Sequence, residues 1–241
     1  MIDEMNIRAA RNNARLCDLV CCAQGRPGEF FDEIWINRSL VPRFYPNAVT
    51  LGERSSRQLE LVDSLIDAHL PGGWAIKDSF SILDAASRGF RVLFEAQWIC
   101  LPASSIQARA MANARWEIVK TDRALVEWES AWDAANDTDS RRERVFQRPI
   151  LDDRDVAVVV AYRDDRIAAG AIANRSDDVV GWSNLFANAP DVLDCAAASL
   201  TTIAEVFPGL PIVGYADGEE LRGALALGFE SLGPLRVWSS V

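Results

Sequence analysis

The chain has 241 residues, 49% hydrophobic and 25% charged, and 35 acids against 25 Lys and Arg give it a net charge of −10. This suits a globular protein of one large or two small domains, with ample core material including eight Trp. The charge disfavours a nucleic-acid partner, and no Lys/Arg cluster with interleaved aromatics reverses it.

No run of about 18 apolar residues offers a membrane span. The first residues carry acids and no apolar run before Leu16, so they do not read as a secretory signal, and a soluble, cytoplasmic protein is expected. The five cysteines, Cys17, Cys21, Cys22, Cys100 and Cys195, are odd in number, and three crowd one stretch, unlike a disulfide framework. Cys17 and Cys21 would share a helix face, but no second ligand pair follows and His69 is far off. Buried thiols and no metal are expected.

In chain order, residues 5–24 read as a helix stopped by Gly25 and Pro27. Residues 30–39 alternate as a strand, and 44–51 form a second strand. A helix follows over 57–70, with Leu59, Val62, Leu65 and Ile66 on one face, ended by Pro71-Gly72-Gly73. Then come a strand over 73–80, a short helix over 81–88 and a strong strand over 91–101. Residues 104–115 read as a connector. Beyond it lie a short strand from Trp116 and a helix over 124–135 with Leu125, Trp128 and Trp132 on one face; 136–147 read as a polar loop or a second helix. Strands over 156–164, 166–175 and 179–187, separated by turn signals at Asp164-Asp165 and Ser176-Asp177-Asp178, read as a meander. A helix over 192–207, a strand over 211–218, a helix over 219–227 and a last strand or hairpin over 229–240 complete the chain.

The chain also repeats itself. Ile66-Asp67-Ala68-His69-Leu70-Pro71-Gly72 and Ile203-Ala204-Glu205-Val206-Phe207-Pro208-Gly209 are 137 residues apart. Asn47 with Asn184 and Tyr45 with Trp182 keep that offset. Gly89-Phe90 pairs with Gly228-Phe229, and Trp98 with Trp238, at slightly larger spacings. Each stretch reads strand, helix, Pro-Gly, strand, helix, Gly-Phe, strand, so 1–103 and 116–241 are expected to be related halves, the first a reduced copy.

The order of residues 116–241 resembles the GNAT superfamily of acyl-CoA-dependent N-acyltransferases, an α/β fold around a mixed sheet. The stretch over 220–233 is similar to that family's last helix and strand, and Val179–Ala187 to its central strand. The resemblance implies an N-acyltransferase of unknown, small-molecule acceptor, with acetyl-CoA or CoA held along the backbone of Asn184, Leu185, Phe186 and Ala187 and beside Val192. It also implies a phosphate loop before the helix at 192, but the sequence there is Asn188-Ala189-Pro190-Asp191-Val192-Leu193-Asp194, with no Gly from 182 to 208. The family's proton-donating Tyr would fall at Ala224; Tyr215, on the preceding strand, is the substitute candidate, with packing as its other reading. In the first half, Gly52-Glu53-Arg54-Ser55-Ser56-Arg57 precedes a helix. Arg54, Ser55, Ser56 and Arg57 there form either an anion site or a Ser-capped helix start with exposed arginines. Three functions are carried forward: a transferase, a non-catalytic binding module, and a thiol enzyme using Cys195.

Overall fold

The computed structural model describes residues 3–53, 55–70, 72–107, 114–136, 143–188 and 192–240. Helix α1, Glu4–Ala23, starts where the Asp3 carboxylate accepts from Met5 N (3.2 Å), and stops at Gln24 before Gly25, whose φ is +73°. Strands β1 (Glu29–Phe30), β2 (Ile34–Ile36) and β3 (Ala48–Thr50) lead to helix α2 (Ser55–Asp67) and strand β4 (Ala75–Asp78). Strand β5 (Arg91–Leu101) closes the first segment. The second contains β6 (Arg115–Ile118), α3 (Asp122–Ala135), β7 (Val156–Arg163), β8 (Arg166–Ser176), β9 (Val179–Ala187), α4 (Val192–Val206), β10 (Ile212–Ala216), α5 (Gly218–Ala226) and β11 (Glu230–Ser239).

The eleven strands of the described residues form one mixed sheet, in the order β1-β2-β3-β4-β11-β5-β10-β9-β8-β7-β6. The closing strands cross over. Strand β5 lies between β11 and β10, and β11 lies between β4 and β5. Both parallel contacts, β3 with β4 and β9 with β10, flank this central antiparallel pair. The segments 1–103 and 116–241 therefore share a single sheet, because each depends on the other's last strand for its ladder.

Two helices cover one face. Helix α1 presents Ala9, Ala10, Ala14 and Cys17, small side chains that let it lie close to the strands, and α3 brings Leu125, Trp128 and Trp132. Asn12 Nδ2 donates to Asn174 O (2.9 Å) and Asn174 Nδ2 donates to Asn12 O (3.1 Å), which ties α1 to β8. Gly181 permits this approach, since a Cβ there would lie 2.1 Å from Asn12 Oδ1. The other face carries α2 over Ile34, Ile36, Ile76, Phe90 and Trp238, and α4 with α5 over Val159, Ile99, Leu101, Ile212 and Phe229.

Several expectations change. The strand over 30–39 is a tight β1–β2 hairpin, with Phe31 N donating to Ile34 O (2.9 Å). The short helix over 81–88 is only a 3₁₀ turn at Ala86–Arg88. Ser81 has φ +55°, and Asp78 accepts from Ile82 N (3.2 Å) and Leu83 N (3.0 Å), so the chain turns there instead of coiling. The end of the chain is one strand, irregular between Ser231 and Gly233, not a hairpin. Asn47 and Asn184 are not counterparts: Asn47 precedes β3 and bonds Asn37 O and Ser39 O, whereas Asn184 lies within β9. Pro71 and residues 137–142, part of the 136–147 segment, lie outside the described residues.

Candidate functional site in the gap between two parallel strands

Strands β9 and β10 pair in parallel at only two positions, Val180 with Ile212 and Gly181 with Val213. Beyond them each strand keeps its outer partner only. Tyr215 and Ala216 stay paired with Trp98 and Gln97 of β5, while Ser183, Phe186 and Ala187 stay paired with β8. The sheet therefore opens in its interior between residues 183–187 and 215–216. The last close approach is at Gly214, where a Cβ would stand 2.9 Å from Trp182 O.

The bend in β9 has a local cause. Its register against β8 jumps between Ile172–Ser183 and Gly170–Phe186, so Asn184 and Leu185 together oppose one residue, Ala171. Asn184 has φ +52°, a conformation asparagine tolerates better than most residues. Trp182 turns toward α4, where its Nε1 donates to Ser199 Oγ (3.1 Å) and its ring stacks on Phe229 at 5.4 Å.

On the α1 face the gap meets a cluster of polar groups. Tyr215 packs its ring edge-on against Trp98 (5.6 Å) and beside Phe94 (6.5 Å). Above that ring lies the Lys77 ammonium, 4.1 Å from the centroid, donating to Asn13 Oδ1 (2.8 Å). Lys77 belongs to β4 and is 5% exposed. The Tyr45 hydroxyl, from the loop before β3, is buried and makes no hydrogen bond of ordinary length among the described residues; Asn184 lies close enough to interact with it, and Tyr215 and Cys17 stand around it. Burial, reinforced by Cys17, holds this phenol well above its ordinary pKa, so it is a neutral O–H. Burial likewise pushes the Cys17 thiol up to about 11, with Lys77 opposing the shift.

The sequence candidates scatter. Asn184, Leu185, Phe186 and Ala187 line the β9 side of the gap, and Tyr215 its β10 side. Val192 begins α4 and is 51% exposed beside exposed Leu193, with Asp194 in the same first turn. Residues 189–191 lie outside the described residues, as does Arg54. Ser55 and Ser56 open α2, and exposed Arg57 pairs with Glu60 (2.7 Å). The anion reading of that corner needs an open strand pair beside it. Instead Thr50 Oγ1 accepts from Ser79 N (2.8 Å) across β3 and β4, and Gln58 Nε2 donates to Glu33 O and Gly52 O.

Cys195 is fully buried among Ala161, Ala169 and Ala198, out of reach of a substrate. Ala224 is 3% exposed beneath Phe229. Tyr45, Lys77 and Asn13 had no sequence signal, since nothing local tells that a loop, an early strand and the first helix converge on β10.

No protein-family model matches the sequence, and no curated protein matches it. Solved structures do. A GCN5-related N-acetyltransferase from Kribbella flavida superposes with a TM-score of 0.62 at 14% identity, covering 96% of this chain and 95% of that one. A conserved protein of unknown function from Staphylococcus epidermidis gives 0.57 at 10% identity, over 85% and 83%. A GCN5-related N-acetyltransferase from Sphaerobacter thermophilus gives 0.50 at 10%, over 97% and 92%. At such identities the likeness is one of fold, and it runs through both segments: the chain has the fold of the GCN5-related N-acetyltransferases.

Proposed function

We propose that the chain is an acyl-CoA-dependent N-acyltransferase of a small-molecule amine, in the cytoplasm, built as an internal duplication with 1–103 as reduced copy, 104–115 as connector and 116–241 as the fuller copy. The symmetric strand order about β11 and β5 supports the duplication. The opening between β9 and β10 carries the functional reading. Two strands that part inside a sheet leave backbone groups of residues 184–187 without a ladder partner on that side, and an amide-bearing pantetheine arm can supply one. The bound donor supplies a thioester carbonyl. The acceptor nitrogen bonds to that carbon as the C–S bond breaks, and the proton lost by the amine ends on sulfur. Tyr215, lining the gap, is the phenol we assign to relay it.

The phosphate end fits less well. Asp194 stands in the first turn of α4, and a carboxylate near a pyrophosphate opposes binding by Coulomb repulsion. CoA is therefore held mostly by its arm. A second reading, a non-catalytic binding module, draws support from Ala224, buried where the resemblance would place a proton donor.

Calorimetric titration of acetyl-CoA tests the first reading. The wild type should bind weakly, the Asp191→Asn/Asp194→Asn variant about 10-fold more tightly, and the Arg54→Ala/Arg57→Ala variant like the wild type. Binding with no thiol release from acetyl-CoA over a panel of amines would leave the module. Binding abolished only by the arginine variant would move the site to the first segment.

A further inference from the structure

We propose that the gap between β9 and β10 selects an acceptor bearing a carboxylate next to its amine, with Lys77 as the group that binds the carboxylate. This rests on the transferase reading and adds a substrate class to it.

The observations concern charge and unmet hydrogen bonding. An ammonium has three N–H donors, and burying it is costly unless they are paired. Lys77 is 5% exposed, yet its partners are one amide oxygen, Asn13 Oδ1, and the face of Tyr215. Among the described residues no carboxylate stands within ion-pair distance of it, although the chain carries 35 acids and forms ion pairs freely elsewhere. The neighbouring thiol of Cys17 is held neutral by burial. The site is therefore a cation without its anion.

Tyr215 and Cys17, the neighbours of Lys77, also flank the buried hydroxyl of Tyr45, which makes no hydrogen bond of ordinary length among the described residues, and the Asn184 side chain lies beside that hydroxyl at the bulge of β9. These groups come from separate parts of the chain: α1, the loop before β3, β4, β9 and β10. They meet on one face of the gap. A carboxylate entering there would accept from Lys77 Nζ and the Tyr45 hydroxyl. Its α-amine would then lie toward β9, where the donor arm runs. The rings of Trp98, Phe94 and Phe146 around these groups exclude water, which strengthens an ionic contact. An amine without the carboxylate leaves the ammonium as it found it and gains nothing there.

The test uses the full chain without CoA. Thermal unfolding is followed with each common L-α-amino acid at about 10 mM, roughly 100 times a sub-millimolar Kd, and with the matching decarboxylated amine. At least one amino acid should raise Tm by about 5 °C, and its amine should not. In Lys77→Met the difference between acid and amine should collapse, a loss of about 30-fold or more in affinity by calorimetry. Should that variant fail to fold, Tyr45→Phe should weaken the same amino acid by about 5-fold. If no amino acid outperforms its amine on the wild type, or if Lys77→Met keeps the discrimination, the proposal falls and Lys77 only ties β4 to α1. Acetyl-CoA is titrated separately. Donor binding with no carboxylate preference sinks this proposal and leaves the transferase reading intact. Carboxylate preference with no donor binding sinks the transferase reading and keeps the anion site.

Discussion

The sheet contains two parallel strand pairs, and they solve the same geometric problem in opposite ways. Strand β3 pairs with β4 at Ala48–Ile76 and Val49–Lys77, and β9 pairs with β10 at Val180–Ile212 and Gly181–Val213. One residue further, Thr50 in the first pair and Trp182 in the second hold the same register position. Two residues further, Ser79 corresponds to Tyr215. In the first pair Thr50 Oγ1 accepts from Ser79 N, Asp78 caps the turn that follows, and β3 ends. In the second pair Trp182 turns its side chain away toward α4, Tyr215 turns toward α1, and β9 continues for five residues to Ala187. A hydroxyl of the right length closes one gap. A bulky ring aimed elsewhere leaves the other open. Whether a strand pair of this kind is scaffold or site depends on the first residue or two after the last shared rung.

The largest effect that tests this comparison is on the anchors common to both pairs. Phe90 and Phe229 each follow a glycine of positive φ, and both are buried, at 4% and 3% exposure. Phe90 meets Trp74 edge-on at 4.8 Å, and Phe229 stacks on Trp182. Phe90→Ala and Phe229→Ala should each cost about 3–5 kcal/mol in urea unfolding. A pair of values differing by more than about 2 kcal/mol would show that the two positions play different parts in the core.

A smaller change separates the pairs. Thr50→Val keeps the shape of the side chain but removes the acceptor of Ser79 N, and both residues are fully buried. The cost should be about 1–3 kcal/mol, with the affinity for acetyl-CoA unchanged. A loss of donor binding in this variant would break the comparison, because it would place the closed pair in the site.

Much of this arrangement was legible in the amino acids, and the division between what was and what was not is physical. The β7–β8–β9 meander and helices α1, α3, α4 and α5 follow from alternation, apolar periodicity and turn residues, which act over a few positions. The crossing of β5 and β11 does not. The stretches around Trp98 and Trp238 are buried at consecutive residues, a pattern that suits any strand in the sheet interior and names no neighbour. The Pro-Gly repeat points to related halves, but it aligns Asn47 with Asn184, because the links from strand to helix are equally long while β9 runs from its last rung at Gly181 on to Ala187 and β3 ends at Thr50, one residue past Val49. Asn184 itself is legible as part of the strand that becomes β9; that it marks a bulge is not. Tyr45, Lys77 and Asn13 come together only through the single sheet, and no spacing in the sequence encodes that.

The smallest effect is also the one that best distinguishes a site from a core. A tyrosine kept for packing normally finds a partner for its hydroxyl once it is buried, and its replacement by Phe then costs stability. Among the described residues the Tyr45 hydroxyl makes no hydrogen bond of ordinary length, with the Asn184 side chain beside it, although its ring is well used, edge-on to Phe146 at 6.5 Å and against the apolar side of α1. Removing the oxygen relieves an unmet desolvation and leaves the ring contacts in place. Tyr45→Phe should therefore unfold at an equal or higher urea concentration, with a gain of up to about 1 kcal/mol. A loss of about 1 kcal/mol would mean that the hydroxyl is bonded in the folded protein, and that its place beside Asn184 is structural. The closed pair gives the control, since Thr50→Val there must destabilise. Opposite signs for two single-oxygen deletions at the two gaps would be the thermodynamic mark of one gap built to hold the protein together and one built to hold something else.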